Sequence, residues 1–198
     1  MHILLTGFTP FQGVEVNPSQ FIIERSERED VLARLLLTEY DAAGAEIVRL
    51  LNKTNPDAVV CLGVAQTRET ICLERIALNL DDTLTPDNTS VVRSGQPIVP
   101  DAPLAYASTL PLEAMRDAIA AKDIPVSISN HAGAFVCNHV FYVTRHALQM
   151  SGSSIPCGFV HVPALLDGSG KGLSLDTMIE AVDISLAVLR ERMSLSVR

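Results

Sequence analysis

Val126-Ser-Ile-Ser-Asn-His-Ala-Gly-Ala-Phe-Val-Cys-Asn-His-Val-Phe-Tyr142 changes its hydrophobic period part-way along. The first half alternates and predicts a short strand. Asn130–Gly133 is a polar turn containing glycine. From about Cys137 the period is helical, with Val140, Phe141, Thr144 and Leu148 on one face. Cys137 therefore stands where a strand passes through a tight turn into a helix. The free N–H groups and positive dipole end of that helix favour a thiolate and suit a developing oxyanion. Cys137 is thus a candidate nucleophile. The position suits a small buried hydrophobe equally well, because free cysteine is among the most buried residue types.

Working outward, the pattern repeats the same architecture. His2–Phe8 predicts a buried strand, and Asn17-Pro18 starts a helix running to about Ser26. Leu35–Tyr40 predicts a second strand, and Asp41 a cap for a helix from Ala42 to about Lys53. Ala58–Val64 is a third strand. Glu69–Leu80 alternates but slips parity between Leu73 and Ile76, which predicts a bulge near Glu74. Asp81–Asn88 is a polar turn region, Val91–Arg93 a return strand of a hairpin, and Ser94–Pro103 a loop. Thr109 caps a helix from Pro111 to near Lys122. Gly158–Pro163 is a short apolar strand holding His161, and Leu175–Arg192 an amphipathic last helix. Strand–helix–strand spacing of this kind predicts βαβ units. The expected fold class is α/β: a single-domain, three-layer α/β/α sandwich around a mixed, largely parallel sheet, spanning residues 1–198.

The bulk composition narrows the function. The chain has 198 residues, 47% of them hydrophobic and 19% charged, with a mean hydropathy of +0.26. A net charge of −8 and no basic run argue against nucleic acid and against an anionic membrane surface. The first residues lack a basic leader region, and no stretch approaches the ~18 apolar residues of a membrane span. Cys61, Cys72, Cys137 and Cys157 form no C-x-x-C pair. A cytoplasmic protein with reduced thiols and no zinc ribbon is expected.

A cysteine nucleophile needs a base and a group that orients the base. His161 is the best base, since nothing in its apolar strand calls for a polar residue; a core histidine bonded to a carbonyl would look the same. Glu74 is the best orienter, because it interrupts an apolar β pattern. It reads also as an edge-strand carboxylate paired with Arg75 or Arg68. His139 and His146 are a poor metal signal without a third ligand, so no metal or cofactor is expected. Gly168-Ser-Gly-Lys-Gly172 lacks phosphate-loop spacing and reads as a flexible connector. Phe8, Phe11 and Phe135 lie on loops beside strand ends, where open α/β sheets bind ligands. They suggest an apolar pocket, although each taken singly is ordinary packing.

Four blocks then stand in order along nearly the whole chain: Leu5-Thr-Gly-Phe-Thr-Pro-Phe-Gln-Gly13 with Asn17-Pro-Ser19; Glu74-Arg-Ile-Ala-Leu-Asn79 followed by Pro86-Asp-Asn88; Ala132–Tyr142; and Gly158-Phe-Val-His-Val-Pro163. Together they resemble the pyroglutamyl peptidase I, or pyrrolidone carboxyl peptidase, family. The resemblance implies a cysteine exopeptidase that removes an N-terminal pyroglutamyl residue from peptides, without metal or cofactor, commonly as a cytosolic homotetramer. It implies Cys137 as nucleophile, His161 as base and then acid, and Glu74 as the orienting carboxylate. Phe8, Phe11 and Phe135 are assigned to the lactam pocket, with Thr38 and Asn17 completing the substrate-binding set. An uncharged lactam suits apolar walls with a few hydrogen bonds.

The chain departs from the family pattern at five places. Gln12 stands for a Gly, Val64 for a pocket Gln, and Leu73 for a Pro. Leu84 stands for an Arg linked to oxyanion stabilisation, and the Glu24–Arg34 segment is shorter than usual. Loss of an oxyanion donor costs ~10²–10³ in rate. The helix N-terminus at Cys137 keeps part of that stabilisation, and Arg93 is a candidate substitute. The departures leave two alternatives: an amidase of the same fold and triad with another small acyl or cyclic substrate, or an impaired pyroglutamate-binding homologue.

Overall fold

The computed structural model describes residues 2–11, 13–26, 28–167 and 170–196. Gly168 and Ser169, in the stretch read as a connector, lie outside the described residues. The elements are β1 (Ile3–Phe8), α1 (Pro18–Glu24), β2 (Val31–Leu36), α2 (Tyr40–Thr54), β3 (Ala58–Val64), β4 (Ile71–Leu78), β5 (Ala105–Ala107), α3 (Leu112–Ala120), β6 (Val126–His131), α4 (Val136–Met150), β7 (Cys157–Val162) and α5 (Leu175–Ser196).

The strands β2, β1, β3 and β7 lie side by side and parallel. β4 runs antiparallel to β7 through Cys72–Glu74 and antiparallel to β5 through Ile76–Leu78, and it pairs β6 in parallel. Every residue of β1, β3 and β7 is buried, as continuous apolar strands covered on both faces must be. On one face Ile3, Leu5, Val60 and Leu62 pack with Ile22 of α1, Met115 of α3 and Met178, Val182 and Leu186 of α5. On the other Leu4, Val59, Cys61 and Phe159 pack with Ile47 of α2 and Val140 and Phe141 of α4. The expected three-layer α/β/α sandwich with a mixed, mostly parallel sheet is what forms. No helix of the described residues is long and apolar enough to cross a membrane.

Several boundaries differ from expectation for local reasons. The second strand is Val31–Leu36 rather than Leu35–Tyr40: it pairs Ile3–Phe8 residue by residue. Thr38 turns off the sheet, its N–H reaching Thr9 Oγ1 at 3.1 Å. β4 carries no inserted residue near Glu74, since it advances in step with β6 from Ile71↔Val126 to Ile76↔His131. The parity slip arises because Ile71–Glu74 are buried on both faces. Leu73 belongs to the α3/α5-side cluster and Ala77 to the α4-side cluster, and the neighbour of β4 changes from β7 to β5 between them. Val91–Arg93 pairs back without forming a regular strand: Asp87 N–H reaches Val91 O and Thr83 N–H reaches Arg93 O, both at 2.9 Å, with the Asp81↔Gln96 bridge beyond them.

The polar run 81–88 is not an exposed turn. Asp81 and Asp87 are both buried. Asp87 Oδ1 accepts from Thr89 N (2.9 Å), Thr89 Oγ1 (2.8 Å) and Val91 N (2.9 Å), and its Oδ2 accepts from Tyr40 N at 3.1 Å. This carboxylate, rather than Asp41, caps α2 from a distant loop. Asn88 then donates to Pro10 O (2.9 Å) and Thr38 O (3.0 Å). Burial pushes the Asp87 carboxyl up, but these donors outweigh it and hold it below the usual range. Its stabilisation is therefore full above the unfolded carboxylate pKa of ~3.9 and is lost as pH falls through the lowered folded value. Asp87→Ala is expected to destabilise by about 1–3 kcal/mol in urea unfolding at neutral pH. The difference from wild type should shrink in acid; a pH-independent difference would mean that the carboxylate is not the group responsible.

Candidate active site

The carboxyl ends of β3 and β7 face the amino end of α4. β6 ends at His131, whose Nδ1 accepts from Gly133 N at 3.1 Å. Gly133 has φ +82°, a left-handed conformation that reverses the chain and suits glycine. Phe135 is the N-cap of α4, and the first intrahelical bond runs from His139 N to Phe135 O at 3.0 Å. The N–H groups of Val136, Cys137 and Asn138 precede that bond and are free of intrahelical partners.

Asn138 clamps this helix start to β4. Its Oδ1 accepts from Leu78 N, and its Nδ2 donates to Leu78 O and Leu80 O, all at 2.9 Å. The strand carrying Glu74 and the helix carrying Cys137 are thus one unit. Cys137 is half-buried. Its Sγ lies 2.8 Å from where a Cβ on Gly63 would stand, and Gly63 is the register neighbour of His161 on the adjacent strand. The thiol therefore sits over β3 directly beside His161.

His161 Nδ1 lies 2.7 Å from Glu74 Oε1. Both groups are buried. With Nδ1–H donated to the carboxylate, Nε2 keeps its lone pair. Glu74 Oε1 also accepts from Arg68 Nη1 at 2.5 Å. The two readings of Glu74, orienter and ion-pair partner of Arg68, hold together, in a strand that lies inside the sheet. Burial pushes the Glu74 carboxyl up, but His161, Ser129 and Arg68 outweigh it, and the group stays below its ordinary value. The thiol behaves oppositely. Burial, then the charges of Glu74 and Cys61, push Cys137 up to about 12 against the pull of its own N–H and Arg68. Desolvation thus outweighs the helix N-terminus and favours the thiol.

The three phenylalanines occupy different depths. Phe8 is fully buried, its ring 6.4 Å from Phe159. Phe11 and Phe135 face one another at 5.5 Å, and Tyr40 meets Phe135 edge-on at 5.6 Å. Asn17 and Thr38 shape the loop between them. Asn17 Oδ1 accepts from Ser19 N and Oγ while its Nδ2 donates to Thr9 O (3.2 Å); Thr38 Oγ1 donates to the same Thr9 O at 2.6 Å.

A family model described as "Pyroglutamyl peptidase" matches residues 1–192. The chain belongs to the pyroglutamyl peptidase family. A pyrrolidone-carboxylate peptidase of Gloeobacter violaceus is 41% identical over 200 residues, covering 96% of this chain and 97% of that relative. One from Bacillus licheniformis is 37% identical, covering 94% and 91%. The solved pyrrolidone carboxyl peptidase of Thermococcus litoralis superposes with a TM-score of 0.93 at 32% identity, covering 98% of this chain and 96% of that one.

Against the family pattern, Leu84 is 90% exposed, so its side chain contributes nothing to the site. Val64 is buried at the end of β3. Arg93 is engaged elsewhere: Nη1 binds Asp81 Oδ2 (2.9 Å), Nη2 binds Asp41 Oδ1 (2.5 Å), and Cζ lies 4.5 Å over the Tyr40 ring. Asp81 Oδ2 also meets His139 Nδ1 at 2.8 Å. This network braces Tyr40, and through it Phe135. Sequence reasoning missed it, because Asp81 lies in a run that reads as solvated loop. It also missed the closeness of Gly63 to the thiol, for which the absence of a side chain at a buried strand end was the only signal.

Proposed function

We propose that this chain is a cysteine exopeptidase that hydrolyses the amide bond following an N-terminal pyroglutamyl residue, with Cys137 as nucleophile, His161 as base and acid, and Glu74 as orienter. The observation that carries the reading is the Glu74–His161 contact of 2.7 Å, with Cys137 Sγ over the neighbouring Gly63. The names of the relatives support the substrate class.

Sγ attacks the pyroglutamyl carbonyl carbon while His161 Nε2 takes the thiol proton, so no standing thiolate is required. The carbonyl oxygen becomes an oxyanion before the free N–H groups at the start of α4. Collapse breaks the C–N bond, and the leaving amine takes the proton from His161. A thioester remains on Cys137. Water, deprotonated by His161, attacks it, releasing pyroglutamate and regenerating the thiol. Glu74 holds Nδ1–H throughout and so keeps the lone pair on Nε2. Phe11 and Phe135 form apolar walls for a ring with no charge, over a floor containing Phe8. Buried free thiols fit a reducing cytoplasm. The exposed Leu84 and Leu104 on the segment between β4 and β5 support a homo-oligomer.

The test is a panel of fluorogenic amides carrying L-pyroglutamyl, L-prolyl and L-glutaminyl groups. Turnover is expected on the first, with kcat/KM at least ~10²-fold above the other two. Preference for another acyl group would move the reading to an amidase of different specificity.

A further inference from the structure

Arg68 is tied to the site at both ends of its side chain. Its backbone N–H bonds Ala65 O at 3.0 Å, and Ala65 N bonds Val162 O at 2.9 Å, next to His161. Its guanidinium reaches across to Glu74 Oε1 (2.5 Å) and to His131 O at the end of β6 (3.3 Å). One residue thus joins the β3–β4 loop, β7, β4 and β6 around the carboxylate. The Arg68 side chain is 28% exposed, whereas that of Glu74 is 0% exposed. Glu74 Oε2 makes no hydrogen bond to the described residues. The hydrogen bonds this carboxylate makes are therefore concentrated on Oε1, where His161 and Arg68 meet, with Ser129 nearby adding to the pull on its charge.

A buried carboxylate without a cation favours its neutral form. A neutral Glu74 no longer demands Nδ1–H from His161. The imidazole tautomer is then free to reverse, placing a proton on Nε2 where the base needs a lone pair. Neither Leu84, which is exposed, nor Arg93, which is bound to Asp81 and Asp41, supplies a charge to this corner.

We propose that Arg68 is a positioning residue of the reaction: it holds Glu74 as an anion with Oε1 turned to His161, and it supplies the site with a positive charge that position 84 does not. This rests on the reading of Cys137, His161 and Glu74 given above. An Arg68–Glu74 pair that merely fastened the β3–β4 loop would affect stability but not the pH dependence of catalysis.

The experiment compares Arg68→Met and Arg68→Lys with wild type. It measures kcat and KM on the L-pyroglutamyl amide, and the iodoacetamide alkylation rate of Cys137 by mass spectrometry, both against pH. Arg68→Met is expected to lower kcat ~10- to 100-fold with KM nearly unchanged. It should also move the acid limbs of turnover and alkylation to higher pH by about one unit. Arg68→Lys is expected to restore most of both. In a Glu74→Gln background Arg68→Met should add less than about 3-fold, because the arginine acts through that carboxylate. Unmoved acid limbs, or full multiplication of effects in the Glu74→Gln background, would overturn the proposal. Should Arg68→Met fail to fold, Arg68→Gln, which keeps a donor without charge, carries the same expectations. Wild type inactive on pyroglutamyl amides would sink the substrate assignment alone, because the alkylation profiles still decide the role of Arg68.

Discussion

Cys137→Ser is expected to leave a folded protein whose release of the amine from an L-pyroglutamyl amide falls by ~10⁴-fold or more. The substitution is nearly isosteric, and the thiol makes few demands on its surroundings, so melting temperature should change little. Chemistry changes greatly. Even a thiol raised to about 12 by burial gives its proton to an imidazole more readily than a hydroxyl in the same place, and sulfur is the better nucleophile. Alkylation gives an independent check. Cys61, Cys72 and Cys157 are buried while Cys137 is partly open, so iodoacetamide should modify Cys137 first, and activity should fall in proportion. Substantial turnover by the serine variant, or inactivation tracking a different cysteine, would remove Cys137 from the mechanism.

Gly63→Ala is the second large effect, and it comes from one methyl group. Its Cβ would stand 2.8 Å from Cys137 Sγ and 2.9 and 3.1 Å from Phe159 Cζ and Cε1, closer than carbon and sulfur pack. Phe159 cannot yield cheaply. Its ring is fully buried, 6.0 Å from Phe141 and 4.7 Å from His161, so moving it moves the base. The thiol must swing instead. A displacement near 1 Å costs ~10²-fold in rate, and the overpacking costs about 1–3 kcal/mol of stability. Single-turnover acylation and urea unfolding measure the two separately. A variant acylating at the wild-type rate would show that the attacking sulfur does not lie over this glycine.

What could be read from residues alone follows a physical division. Cys137 was visible because a change of period marks a helix start, and His161 because a polar residue in an apolar strand needs a reason. Glu74 stood out likewise. All three are signals of local pattern, and the helix and central strands around them formed within a few residues of expectation. Long-range partners leave no such trace. Nothing in the run Asp81–Asn88 distinguishes a solvated carboxylate from Asp87, which takes its donors from Tyr40, Thr89 and Val91. β2 was misplaced because an edge strand shows weak alternation, and the turn-off at Thr38 is set by Thr9, far away in sequence. β5, three residues of small side chains around Tyr106, is a strand only because β4 offers it an edge.

The position of β7 has a consequence for how this protein is made. Cys157–Val162 is the last strand in the chain, yet it lies in the middle of the sheet, between β3 and β4. A nascent chain whose residues up to about 150 have emerged from the ribosome can join β1, β2 and β3, and can pair β4 with β6, with α4 bridging the two halves through α2 and the Asn138 clamp, but the sheet has no strand between them. Each half then exposes an apolar strand edge, Val59–Val64 on one side and Cys72–Glu74 on the other, a state prone to self-association. Insertion of β7 closes both edges at once and delivers His161 to Glu74 in the same step. Completion of the sheet and the onset of activity are therefore a single late event in biosynthesis, and incomplete chains have neither.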